Sequence, residues 1–169
     1  MTLAELEPLS RAFSFGNARL NLRYDMRALL ALEKAGLKYT DIFAESLEAG
    51  VILRFFRAGL TEEVGAERAA KMFRAIGGRE VWALCSEAML LALPKPDPLL
   101  IPDTKAKKSE VIDFGALRCY ICDIMKKPDE FFWSSTLREL LERWQKFAVF
   151  KGYMKPPRRM EMFDTEGME

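Results

Sequence analysis

The sequence predicts a mainly α-helical fold that begins with a two-stranded β-hairpin. Residues 11–24 alternate apolar and polar side chains on either side of Gly16-Asn17, which is typical of a hairpin. After residue 25, most apolar side chains recur at the three- or four-residue spacing of amphipathic helices. A proline-rich stretch, residues 94–110, divides the helical pattern. We therefore predict a hairpin packed on a small multi-helix bundle, followed by a linker and a C-terminal helical pair.

The predicted hairpin carries its apolar side chains on one face. Because an isolated hairpin is marginally stable in water, we expect this face to pack on the helices and the free strand edge to contact another copy. The expected anchors are Leu29, Leu32, Phe55 and Phe56. The apolar residues of the hairpin are Phe13, Phe15, Leu20, Leu22 and Tyr24.

Local signals then mark the ends of successive helices. Asp25 is a suitable N-cap for a first helix, which Gly36-Leu37 closes. We predict a short helix at 40–48, which Gly50 ends, and a second at 51–58. A third runs from Thr61 to the Gly77-Gly78 pair, and a fourth covers 81–92 and ends before Pro94.

Beyond the linker, the pattern predicts two more helices. The first has its apolar stripe on Leu117, Tyr120, Ile121 and Ile124, and a Thr136–Glu139 capping box opens the second. Gly152-Tyr153 closes that helix. The predicted organisation is a hairpin and helical domain over 1–93, a linker over 94–110, the helical pair over 111–153 and a flexible tail over 154–169.

Composition excludes several kinds of chemistry. The chain has 26 basic and 25 acidic residues, a net charge of +1, and no histidine. It therefore lacks a Ser-His or Cys-His nucleophile pair and a histidine-ligated zinc, and its charge gives no general attraction to nucleic acid or anionic lipid. No apolar run has the length of a membrane span, and the first ten residues do not resemble a signal peptide. We expect a cytoplasmic protein with reduced thiols among its three cysteines.

No catalytic, cofactor-binding or metal-binding residue is predicted. The sequence contains neither a P-loop nor a GxGxxG motif. Cys119 and Cys122 form the single CxxC, but no second ligand pair accompanies it, so we interpret both as inert thiols. The sequence therefore predicts that the protein is not an enzyme.

A small DNA-binding regulator is the alternative. The helices on either side of Gly77-Gly78 have the lengths of a helix-turn-helix, and Lys71, Arg74 and Arg79 are basic. However, the second helix also carries Glu80 and Glu87, so it presents little positive charge to phosphates.

Two stretches of sequence resemble a known family. "FGNARLNLRYDMRALLALEKAGLK" and "FFRAGLTEEVGAERAAKMFRAIG" are similar to the tail assembly chaperones of long-tailed bacteriophages, prophages and gene transfer agents, and "DEFFWSSTLRELLERW" (129–144) is similar to the C-terminal region of that family. The chain departs from the family pattern in its long proline-rich linker and its methionine-bearing tail. The matching residues are Tyr24, Ala28, Leu29, Leu32, Glu33, Gly36, Ala58, Gly59 and Leu60.

The resemblance implies a non-catalytic function. Chaperones of this family coat the tape measure protein, recruit tail tube subunits and are absent from the mature particle. The implied partners are therefore the tape measure protein, the tail tube protein and further copies of this chain, without nucleic acid, membrane or cofactor. We expect the partner contacts at Phe13, Phe15, Leu20, Leu22, Tyr24, Phe131, Phe132, Trp133, Met160 and Met162.

Overall fold

The computed structural model describes residues 9–95 and 111–157. Most of the predicted linker and of the predicted tail, with Met160 and Met162, lies outside the described residues. Within the described ranges the chain forms a two-stranded sheet, seven α-helices, a 3-10 helix and a π-helical turn, as predicted for a mainly helical fold. The elements are β1 Arg11–Phe15, β2 Ala18–Leu22, α1 Met26–Lys34, the 3-10 helix Tyr39–Phe43, α2 Ala49–Gly59, α3 Ala66–Ile76, α4 Gly78–Ala92, α5 Phe114–Arg118, the π-helical turn Cys119–Ile124, α6 Asp129–Ser134 and α7 Leu137–Phe150.

The predicted hairpin is confirmed. The two strands are antiparallel, and Phe15 pairs with Ala18 across a two-residue turn. Gly16 has φ of +59°, which a type II′ turn requires at its first central position.

The apolar face of the hairpin packs on α2. The ring of Phe13 lies 5.7 Å from that of Phe56, and Tyr24 meets Phe55 edge to face at 6.4 Å. The Tyr24 hydroxyl donates a hydrogen bond of 2.9 Å to the carbonyl of Phe55. The anchoring of the hairpin on α2 is therefore as predicted.

Helix α1 begins and ends at its predicted caps. The Asp25 carboxylate accepts a hydrogen bond from the Ala28 amide at 2.9 Å. At the other end Gly36 has φ of +75°, and the Leu37 amide donates to the Leu32 carbonyl at 3.0 Å. These bonds form the Schellman motif that the Gly-Leu pair indicated.

The segment between α1 and α3 differs from the prediction. In place of the expected helix at 40–48, the structure has a 3-10 helix that ends at Phe43. Gly50, which was expected to end that helix, lies within the first turn of α2. Thr61 does not cap α3, which begins after Gly65. The Thr61 amide and hydroxyl instead donate to the Asn21 carbonyl, so the residue continues the sheet.

Helix α4 is central to the molecule. Val81, Cys85 and Met89 are fully buried, and the helix contacts both strands, α2, α3, α7 and the 3-10 helix. The Trp82 indole N–H donates to the Ile42 carbonyl at 2.8 Å. The predicted end of this helix before Pro94 is confirmed.

The C-terminal part contains one more helix than predicted. The stripe expected to form one helix is divided between α5 and the π-helical turn, where the Met125 amide donates to the Tyr120 carbonyl. Helix α6 has only six residues, which is too short to show a period. The Thr136–Glu139 capping box of α7 is confirmed.

The C-terminal part packs against the start of α1. The Met26 amide donates to the Ser135 carbonyl at 3.0 Å, and Arg23 pairs with Glu139 at 2.8 Å. A second ion pair joins Arg27 to Glu130. The division into a domain over 1–93 and a helical pair over 111–153 stays a prediction.

Candidate functional site

Four of the residues expected to contact partners lie in the core. Leu20 is 5% exposed, and Leu22, Tyr24 and Phe132 have no exposed area. Their side chains therefore present no surface to another chain in this fold, which corrects that expectation. The physical reason is that an apolar stripe has the same spacing whether it faces the core or a partner.

Four others are half-buried, and Met160 and Met162 lie outside the described residues. Phe13 and Phe15 pack at the rim of the core beneath the hairpin. Phe131 lies beneath the Arg143 guanidinium, 5.1 Å from the ring centroid, and Trp133 packs edge to face on Phe132 at 4.9 Å. These four side chains keep part of their area on the surface, where partner contact stays a prediction.

The outer edge of β2 is closed by the end of α2 and the residues after it. The Arg23 amide donates to the Gly59 carbonyl at 2.7 Å, and the Thr61 amide donates to the Asn21 carbonyl at 3.1 Å. The Asn21 amide lies 3.4 Å from a carboxylate oxygen of Glu62. The outward amide and carbonyl of Asn21 therefore have hydrogen-bond partners within the chain.

The outer edge of β1 is open. Ala12 lies opposite Asn21, and Ser14 lies opposite Arg19. Since Asn21 directs its amide and carbonyl away from β1, the alternation of an antiparallel ladder directs those of Ala12 and Ser14 away from β2. In the described part of the chain, no residue outside the hairpin forms a hydrogen bond with Ala12 or Ser14. Among the described residues, these outward groups of β1 therefore have no hydrogen-bond partner, as at an unpaired strand edge.

A second candidate surface lies along α7 and consists of a row of aromatic rings. Tyr120 stacks on Trp144 with ring centroids 4.6 Å apart and planes 14° apart. Trp144 contacts Phe147 at 5.9 Å, and Phe147 contacts Tyr153 at 6.2 Å. Phe150, one turn after Phe147 on the same helix, is 82% exposed. We call Tyr120, Trp144, Phe147, Phe150 and Tyr153 the aromatic row.

Basic side chains accompany the aromatic row. The Lys151 ammonium lies 5.9 Å from the centroid of Phe147 and 5.8 Å from that of Phe150. This surface was not predicted from the sequence, and Trp144 also packs against the core. The signal that could have found it is the charge pattern, because residues 143–159 contain six basic residues and no acidic one.

The three cysteines differ in exposure. Cys119 is exposed, Cys122 is half-buried and Cys85 is buried. Partial burial, followed by a hydrogen bond to Asp129, raises the pKa of Cys122, while the Arg118 guanidinium lowers the pKa of the Asp129 carboxyl. Since a thiolate is the reactive form, this environment does not activate Cys122. Among residues 9–95 and 111–157, no cluster of three or more cysteine, aspartate or glutamate side chains could hold a metal ion.

The geometry of α3 and α4 gives little support to DNA binding. One side of α4 is buried, and its exposed residues include Glu80 and Glu87 beside Arg79. Glu87 forms an ion pair with Arg11 of β1. A helix with one side buried in the protein and two exposed glutamates on the other is poorly suited to enter a DNA groove.

Of the helices that the structure describes, none combines the length and the apolar character needed to cross a membrane. The chain matches no protein-family model, no curated protein and no solved structure.

Proposed function

We propose that this protein is a non-catalytic tail assembly chaperone of a phage or prophage, which coats the tape measure protein and recruits tail tube subunits in the host cytoplasm. The proposal starts from the sequence resemblance described above. It includes self-association and excludes a place in the mature particle.

The open edge of β1 is the observation that carries this proposal. Its outward amide and carbonyl groups at Ala12 and Ser14 can form main-chain hydrogen bonds with an added strand, whatever the side chains of the partner. A protein that binds other chains has a use for such an edge, whereas soluble proteins otherwise protect their edges. The second support is the exposed area of the aromatic row, because contiguous apolar surface marks interaction sites.

Coexpression with the tape measure protein encoded beside this chain tests the proposal. We expect the tape measure protein to become soluble and to copurify with the wild-type chain. An insoluble tape measure protein in the presence of wild-type chain would contradict the proposed function.

A proline substitution tests the strand edge itself. Ser14→Pro removes an outward amide that has no partner within the described chain, and proline is tolerated on an open edge. Ser14→Ala keeps the amide and is the matched control. We expect Ser14→Pro to keep the circular dichroism spectrum of the wild-type chain but to copurify with little tape measure protein. Ser14→Ala should copurify with as much of it as the wild-type chain does. Equal recovery with both variants would show that the edge is not the contact.

A further inference from the structure

The second half of α7 and the residues after it are basic, and the end of the sequence is acidic. Residues 143–159 carry Arg143, Lys146, Lys151, Lys155, Arg158 and Arg159 and no acidic residue. Residues 160–169, "MEMFDTEGME", carry four acidic residues and no basic one. Opposite charges therefore follow each other directly along the sequence.

The acidic segment 160–169 also carries apolar side chains suited to aromatic rings. Met160, Met162 and Phe163 alternate with its first acidic residues. Methionine sulfur makes favourable contacts with aromatic rings, and the exposed ring of Phe150 lies beside the Lys151 ammonium. An acidic segment with methionines and a phenylalanine thus matches the aromatic row in both charge and apolar character.

We propose that segment 160–169 binds, within the same molecule, to the aromatic row and its basic neighbours Lys146 and Lys151. This inference is independent of the proposed chaperone function. It assigns Met160 and Met162 a contact with the chain's own α7.

The distances allow this contact. The six residues from Pro157 to Phe163 span at most about 20 Å when extended. The distance along α7 from Phe150 back to Arg143 is only about 10 Å. Glu142, the nearest acidic residue of α7, is paired with Arg138 at 3.0 Å and so opposes the segment little.

The indole N–H signals of the full-length, ¹⁵N-labelled chain provide the test. Trp144 belongs to the aromatic row, whereas the Trp82 indole is bonded to Ile42 in the core and is an internal control. The signal of Trp144 is assigned with Trp144→Phe. We compare the wild-type chain with a variant carrying Glu161→Gln, Asp164→Asn, Glu166→Gln and Glu169→Gln.

We expect the Trp144 signal to differ between the two chains at low salt and to coincide in about 1 M salt, where the screening length is about 3 Å. Trp82 should not move. Lys151→Glu should reproduce the effect of the four neutral substitutions, and Lys34→Glu, an exposed lysine on α1, should not. Identical Trp144 signals in the wild-type and neutral chains at low salt would overturn the proposal.

Two further results would also overturn it. A Trp144 shift that depends on protein concentration would assign the contact to a second copy. Binding of a thymidine oligonucleotide or of phosphatidylserine vesicles to the wild-type chain, with movement of the Trp144 signal, would show that the surface is open to a polyanion.

Discussion

The N-terminal and C-terminal parts of the molecule use aromatic residues in opposite ways. Around Tyr24, the rings of Phe55 and Phe56 are fully buried and join the hairpin to α2. Along α7, ring contacts of similar length lead outward to Tyr153 and Phe150, which are 63% and 82% exposed. Ring contacts of similar length thus stabilise the core in one part and reach the surface in the other.

The largest expected difference comes from truncating one ring in each part. Phe55→Ala should lower the free energy of unfolding by about 4 kcal/mol, because it leaves a cavity in a packed core. Phe150→Ala should change it by less than about 0.5 kcal/mol, because that ring is mostly in water. Urea unfolding of both variants measures the difference, and similar losses would contradict the distinction between the two parts.

A glycine on α2 explains how Tyr24 becomes buried. A Cβ atom at Gly59 would lie 2.9 Å from Cζ of Tyr24, so Gly59→Ala should destabilise the fold by about 2 kcal/mol. Gly50 lies on the same helix with nothing within 4 Å of its would-be Cβ, and Gly50→Ala should be neutral or stabilising by about 0.5 kcal/mol. Thermal unfolding compares the two, and equal effects would show that close approach at Gly59 is not needed.

Alkaline pH should weaken the N-terminal core selectively. Burial raises the pKa of Cys85 from 9.0 to about 12, and burial together with Cys85 also raises the pKa of Tyr24. Because the folded state holds these protons more tightly than the unfolded state, the stabilisation is complete below about pH 9 and is lost as the pH rises towards 12. Cys85 contributes a slope of about 1.4 kcal/mol per pH unit in this window, and Tyr24 adds to it only above its ordinary pKa of 10.0.

Substituting the cysteines isolates this contribution. Cys85→Ala should make the fall in unfolding free energy between pH 9 and pH 11 less steep by about 1.4 kcal/mol per unit. Cys119→Ala, at an exposed thiol, should leave the slope unchanged. Urea unfolding across this pH range measures both slopes. An unchanged slope in Cys85→Ala would contradict the raised pKa of the Cys85 thiol as a source of the pH dependence.

The smallest expected effect lies where the two parts meet. Thr136 is buried and caps α7, and its backbone forms an isolated antiparallel β-bridge with that of Asp25. Thr136→Ala should cost about 1 kcal/mol because the Glu139 amide loses its hydroxyl acceptor, whereas Thr136→Ser should retain most of the stability. Thermal unfolding provides the comparison, and equal losses in both variants would mean that the methyl group, not the cap, is important.

The sequence predicts best where the determinant is local. Gly16-Asn17, Asp25 and the Thr136–Glu139 pair each satisfy or direct backbone groups within four residues, and all three form as expected. Thr61 could not be predicted, because its role depends on the Asn21 carbonyl, forty positions earlier. The candidate site was predicted only in part for a related reason, since periodicity identifies an apolar stripe but not what covers it. Leu22, which is fully buried, and Phe13, which stays half-buried at the rim of the core, show the two outcomes.

The closed edge of β2 limits how copies of this chain can assemble through their hairpins. Among the described residues, 59–61 already pair with the end of that edge at Asn21 and Leu22, so β1 is the edge that can accept a full strand. Two identical β1 edges can meet about a twofold axis, and the resulting four-stranded sheet then has a blocked strand on each side. Sheet pairing alone therefore ends at a dimer and cannot extend into a filament. A longer array of this chain would need a second, different contact between neighbouring dimers.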